Sequence, residues 1–146
     1  MYNGLVHLHN LLRWIILVLL VLSVYQSFTK NTALRKTSLW LMIASHLTLL
    51  LGLFQWLNGA AVGLVMLDEQ GFDGVMANAI SRFWVVEHLT GMVIAIILVS
   101  IARGRAKYLN YKGSRWFYVA ALLIILVSIP WPFREAGIGR PWFPGM

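Results

Sequence analysis

The stretch HLHNLLRWIILVLLVL, residues 7–22, decides how the rest of the chain is read. Three polar or ionisable side chains, His7, His9 and Arg13, stand at the mouth of an apolar run that goes on to Phe28. A helix needs roughly 20 apolar residues, at about 1.5 Å each, to cross about 30 Å of hydrocarbon. This run suffices. Working outward, three further stretches qualify or nearly do, and the four expected spans are about 5–28, 38–57, 83–102 and 116–133. The fourth is the shortest, and Pro130 and Pro132 are expected to end its regular helix. The runs are continuous rather than alternating, which excludes a β-barrel.

Composition agrees. The chain is 60% hydrophobic and only 12% charged, with a mean hydropathy of +0.75. A soluble protein of 146 residues has too much surface for its volume to hide so much apolar area. The expected class is an all-α integral membrane protein, a four-helix bundle in a single domain covering residues 1–146. Cysteine is absent, which excludes disulfides, iron–sulfur clusters, thioether-linked haem and cysteine-zinc sites. Met1 is followed by no basic n-region, and the first apolar run has no small-residue cleavage site before its polar boundary, so no cleavable signal peptide is expected.

The net charge of +7 is distributed as a topology signal rather than a nucleic-acid surface. Lys30, Arg35 and Lys36 lie between spans one and two, and Arg103, Arg105, Lys107, Lys112 and Arg115 between spans three and four. Asp68, Glu69 and Asp73 fall in the remaining connection, residues 58–82. The positive-inside rule then places both termini and the acidic connection outside, on the periplasmic side of a bacterial inner membrane. Within that connection AVGLVML is too short to span and reads as an interfacial or re-entrant segment, with GFDG as a turn.

All four histidines lie within or at the edges of spans, where ionisable groups are costly and point to function. On span one, Asn3, His7, His9, Asn10, Arg13 and Trp14 fit within about half the helical cylinder, with His7 and His9 at opposite edges of that arc. The other half is free to face lipid. On span three, His88 shares a face with Trp84, Gly91, Met92 and Ala95, and the small residues there leave a shallow slot. That slot suits either a neighbouring helix or a flat macrocycle. Glu87 points elsewhere and is expected to pair with Arg13.

Depth ranks the pairs. His9 and His88 both sit roughly 6–8 Å in from the outer face, with His7 about 3 Å higher, whereas His46 lies about 17 Å in. The simplest reading is one haem b near the outer face, its iron bound by His88 and by His9, with His7 as the alternative to His9. A second haem at His46 would need another ligand. A single histidine on so apolar a face, among Leu39, Met42, Ile43, Leu49, Leu50 and Leu53, serves equally as a helix-packing residue. Arg134 and Arg140 lie on the outer side and either meet haem propionates or anchor the interface with Trp131 and Trp142. HxH on a helix diverges by about 200°, so zinc ranks low.

Four pieces, HLHNLLRW, ASHLTLLLGL, RFWVVEHLTGM and IPWPFR, together touch every span. In them the chain resembles small bacterial membrane proteins, common in Bacteroidetes, that carry the label "cytochrome B". That resemblance implies haem and marks His7, His9, Arg13, His46, Glu87 and His88. More distantly the chain is similar to the HemJ-type protoporphyrinogen oxidases, four-span haem proteins with a histidine seven residues before a tryptophan in the first span, here His7 and Trp14. The basic residue those enzymes carry in a later span is not evident here.

The expected function is electron transfer by a haem b protein between the quinone pool and a periplasmic acceptor. The alternatives are a haem-free accessory subunit of a larger membrane complex and a porphyrinogen oxidase. Lipid, quinone and other membrane subunits are the expected partners.

Overall fold

The computed structural model describes residues 2–59 and 61–143, with side chains from Gly4 onward. In chain order the elements are α1 (Tyr2–Phe28), α2 (Leu34–Asn58), α3 (Leu64–Ala77), α4 (Ala79–Arg82), a π-helical turn (Phe83–Glu87), α5 (His88–Ala106) and α6 (Tyr111–Ser128). Among the described residues there is no strand. From Ala79 to Ala106 the chain runs as one rod of 28 residues. That rod, α1 from Gly4 and α2 are each long and apolar enough to cross a membrane. The 18 residues of α6 open with Lys112 and Arg115 and are not among them.

The helices begin earlier than the apolar runs do. Arg35 and Lys36 lie inside α2, and Ala79 to Arg82 precede the expected third span. Helix formation needs only backbone bonds and a cap, whereas hydropathy reports what sits in lipid. Asn78 supplies one such cap, its side chain accepting from the Ile80 and Ser81 amides at 2.9 and 3.1 Å. The AVGLVML segment is largely helical in α3, which breaks at Gly71 (φ 69°, ψ 170°), the first residue of GFDG. At the far end α6 stops at Ser128, because Ile129 precedes Pro130 and takes an extended conformation (φ −68°, ψ 135°).

The four long rods form a square. Both α1 and α5 pack against α2 and α6, so α1 faces α5 across one diagonal and α2 faces α6 across the other. Hydrogen bonds tie the two ends and fix an alternating direction. At one end Gln55 donates to the Leu5 carbonyl (3.0 Å) and Trp56 to that of Val85 (3.3 Å). At the other, Arg103 donates to the Arg35 carbonyl (3.2 Å) and Arg115 to that of Ser27 (3.1 Å). The basic connections all gather at this second end.

The inner surfaces carry small residues. Ala95, Ala102, Ala106, Ala121, Ser23, Ser27, Ser38, Ser45 and Ser114 are buried around Leu20, Leu41, Val99 and Tyr118. Short side chains let backbones approach where no hydrophobic force acts between helices in lipid. The hydroxyls of Ser23, Ser27, Ser38 and Ser114 bond back to carbonyls three or four residues earlier. Bulky residues such as Val18, Val21, Trp40, Leu50, Ile97, Trp116 and Val127 point outward. A core of small residues within a jacket of large apolar ones suits a bilayer, not water.

Candidate functional site

The end of α6 sets up the site. A helix leaves its last four carbonyls without backbone donors, and here Pro130 and Pro132 remove two N–H groups that would have continued the ladder. Side chains take their place. The Ile125 carbonyl still receives the Ile129 amide (2.9 Å). That of Leu126 receives Trp131 Nε1 (2.8 Å), and that of Val127 receives Arg134 Nη2 (2.9 Å). Ser128 keeps its carbonyl for His88 Nδ1, at 2.8 Å.

That last bond fixes the chemistry of His88. A carbonyl has no proton to give, so Nδ1–H is the donor and, in the neutral ring, Nε2 keeps its lone pair. Histidines that bind metals are commonly oriented in this way. The approach depends on Gly91. A Cβ there would collide with Ser128 Oγ, so glycine allows α5 to reach α6 closely enough for the bond. The π-helical turn ends at Glu87, immediately before His88. Such single turns are frequent at functional sites. Phe83 and Trp84, from the same turn, flank the imidazole with ring centres 5.8 Å away.

His9 comes from the diagonal partner. Its ring centre lies 6.5 Å from that of His88, with 61° between the planes. On the neighbouring α2, Gly52 makes room for His9. A Cβ there would stand 3.2 Å from His9 Cε1. The Thr48 carbonyl interacts with the ring, yet Nδ1 itself is buried and has no hydrogen-bond partner of good geometry among the described residues. A buried ring nitrogen left without a partner costs about 1–3 kcal/mol.

Over this end the tail folds back as a lid. Arg13 Nη2 donates to the carbonyls of Pro141 (3.1 Å) and Trp142 (2.9 Å), Trp14 Nε1 to that of Trp142 (2.7 Å), and Asn10 to that of Pro141 (3.3 Å). Trp14 also stacks on Trp142 and Phe143, at 6.1 and 5.7 Å. On the opposite side Trp84 Nε1 donates to the Gly137 carbonyl (2.8 Å). The guanidinium of Arg134 lies over Phe83 at 4.8 Å and that of Arg140 over Trp84 at 4.6 Å. Both cations thus reach the rings that flank His88.

The structure therefore brings together His9, His88 and, around the rim, Arg13 and Arg134. His7 and His46 stand apart: both are exposed, and His46 Nδ1 bonds back to the Met42 carbonyl of its own helix (2.8 Å). The expected Arg13–Glu87 pair does not form. Glu87 meets Arg82 at 2.7 Å on the surface, while Arg13 satisfies its charge on the tail's carbonyl dipoles. Ser128, Gly52 and Trp131 were not anticipated as site residues. The signal for Ser128 was legible, since two prolines spaced by one residue leave carbonyls in need of donors.

No protein-family model, curated protein or solved structure matches this chain.

The donor set can be tested against the expected group. Two imidazoles that each give one nitrogen to a shared metal at about 2.0–2.1 Å place their ring centres about 6 Å apart when the atoms are in line. The observed 6.5 Å is close to this. Among the described residues no group of three or more His, Cys, Asp or Glu side chains converges. A bare metal ion would lack ligands here, whereas an iron porphyrin brings four nitrogens and asks the protein for two. Two imidazoles match, in number, what a haem asks of the protein. The space beside them is another matter, since Ser128 fills the slot at Gly91 and the His9 ring lies against Gly52.

Proposed function

We propose that this chain is a haem b-binding protein of the bacterial inner membrane, crossing it four times with both termini in the periplasm, and that it transfers electrons. The observation that carries this reading is the pairing of His9 and His88 from diagonal helices at a separation suited to one metal ion. Haem iron, when bound, supplies one-electron chemistry. His88 holds its Nε2 lone pair available through the Ser128 bond, and a haem, if bound, would be held by that nitrogen and by one from His9. Phe83, Trp84 and the Trp14–Trp142 stack keep water from that end of the bundle. Arg134 and Arg140, lying over Phe83 and Trp84, would supply positive charge to a haem's propionates. The basic connections at the opposite end support a cytoplasmic side there, with the quinone pool and a periplasmic acceptor as the redox partners.

The test is haem per chain in protein purified from haem-replete cells, with oxidised and dithionite-reduced spectra. A sharp reduced α-band is expected, lost in His9→Ala and His88→Ala and retained in His7→Ala and His46→Ala. Colourless protein from haem-replete membranes overturns the reading. A second reading, a haem-free accessory subunit whose polar groups specify helix packing, is favoured by the filling of both glycine slots by protein atoms. It requires His9→Ala and His88→Ala to assemble and function as the unaltered protein does.

A further inference from the structure

Charge divides the molecule unequally. All five acids, Asp68, Glu69, Asp73, Glu87 and Glu135, lie toward the His9–His88 end, with four of the twelve cations. The other eight cations belong to the two basic connections, so the opposite end carries +8 and the His9–His88 end −1, with histidine neutral. Three of the eight are braced on carbonyls of the bundle: Arg103 on Arg35, Arg105 on Gly113 and Arg115 on Ser27. Lys30 and Lys112 are exposed, and among the described residues they bond no protein group.

At the corner between α1 and α6 a second chemistry joins this charge. Arg115 ties the two helices, its Nη2 donating to the Ser27 carbonyl (3.1 Å) and its guanidinium lying over the Phe28 ring at 4.5 Å. Trp116 meets the same ring edge-on, with centres 5.8 Å apart. Tyr25 and Phe28 stand three residues apart on one side of α1, and both are exposed, as is Trp116. On α6, Lys112 precedes Arg115 and Trp116 by three and four residues and shares their side of the helix. Lys30 follows Phe28 by two residues. The level is set by α1, whose membrane-crossing length ends at Phe28. The cations therefore stand where the hydrocarbon ends, and the aromatic rings begin within about one turn, roughly 5 Å, below them.

The geometry points to a binding site at this corner for one acidic phospholipid, its phosphate met by Lys30, Lys112 and Arg115 and its acyl chains lying along Tyr25, Phe28 and Trp116. The occupant has to bring negative charge at the level of the headgroups and apolar mass directly beneath it. A free anion or an acidic stretch of a soluble protein brings only the first. An uncharged lipid or an apolar helix brings only the second. An acidic phospholipid carries both in one molecule, and basic clusters beside membrane helices suit such headgroups. Orientation in the membrane asks only that the connections be basic. It does not ask for two lysines free of protein partners beside an arginine and three exposed aromatic rings where two helices meet. The inference does not rest on the His9–His88 reading and holds whether or not haem is bound.

The experiment is native mass spectrometry of the full chain in an uncharged detergent, titrated with phosphatidylglycerol or with phosphatidylcholine of the same acyl chains. The first phosphatidylglycerol is expected to bind about tenfold or more tightly than the first phosphatidylcholine. Glycerol 3-phosphate at equal concentration should not displace it. Lys30→Gln combined with Lys112→Gln should weaken this first binding about 25-fold, or about fivefold for each cation. Lys30→Arg combined with Lys112→Arg should retain it, which guards against a folding defect. Arg35→Gln combined with Lys36→Gln removes the same charge from α2, diagonally opposite α6, and should change it by less than about twofold. Equal affinity for the two lipids overturns the proposal, since the corner then does not select charge. Equal weakening by the two glutamine pairs also overturns it, because the attraction is then diffuse. So does displacement by glycerol 3-phosphate, which would assign the cations to a free anion.

Discussion

Replacing Gly91 by alanine tests the packing that orients His88. A Cβ at this position runs into Ser128 Oγ and comes within 3.1 Å of Ser128 Cβ, both on a helix end fixed by three other bonds. Ser128 Oγ can rotate aside, but the Cβ contact at 3.1 Å still asks α5 and α6 to part by a few tenths of an ångström. Overpacking of this kind costs about 1–3 kcal/mol, and losing the 2.8 Å His88–Ser128 bond adds about 0.5–1.5 kcal/mol. Alanine recovers up to about 1 kcal/mol of helix propensity. The net expectation is destabilisation of about 0.5–3.5 kcal/mol. Equilibrium unfolding in detergent micelles, followed by tryptophan fluorescence, measures it, and the double variant Gly91→Ala with Ser128→Gly provides the decisive comparison. Deleting the Ser128 side chain removes both offending atoms while leaving the carbonyl in place, so the double variant should recover most of the loss. Equal stability of Gly91→Ala and the unaltered protein, or a double variant that sums two independent losses, would refute the close-approach account.

Two other outcomes follow from the same end of the molecule. Arg13→Leu removes two bonds to the tail, at 3.1 and 2.9 Å. It should raise hydrogen exchange in the peptide covering residues 129–143 about tenfold or more while leaving α2 and α5 protected, as read by mass spectrometry. Pro130→Ala combined with Pro132→Ala restores the N–H groups whose absence frees the carbonyls of Leu126 and Ser128. Helix α6 should lengthen, and the amide of residue 132 should displace His88 Nδ1 from Ser128, visible as a change in the His88 ring ¹⁵N spectrum. An unchanged His88 spectrum alongside a lengthened helix would contradict the role given to the prolines.

Much of the architecture was readable from hydropathy, because burial in lipid depends on a property every residue carries individually. The runs from Leu5 to Phe28 and from Phe83 to Ala102 lie within rods of the structure, displaced only where caps such as Asn78 extend the helix past its apolar part. The fourth run matched less well. Its helix begins at Tyr111, inside the basic connection, and ends at Ser128, since a helix tolerates Lys112 and Arg115 in its opening turns and no residue before a proline readily continues one. The matched depths of His9 and His88 were also legible, as helical rise is fixed once direction is known.

Partners were not legible. Arg13 pairs with the carbonyls of Pro141 and Trp142, and His88 with that of Ser128. Every residue owns such an acceptor, so sequence cannot say which one is free. Glu87, the obvious anion for Arg13, turns instead to Arg82, five residues away on its own rod. Composition and helical rise were enough to say that the chain builds apolar rods and roughly where each begins, because these are local properties. Only the tertiary structure decided that α1 and α5 face each other diagonally, that Gly52 and Gly91 are taken up by close contacts, and that His46 looks outward. Those outcomes depend on which helix occupies which corner, a choice made by the fit of small residues across the whole bundle.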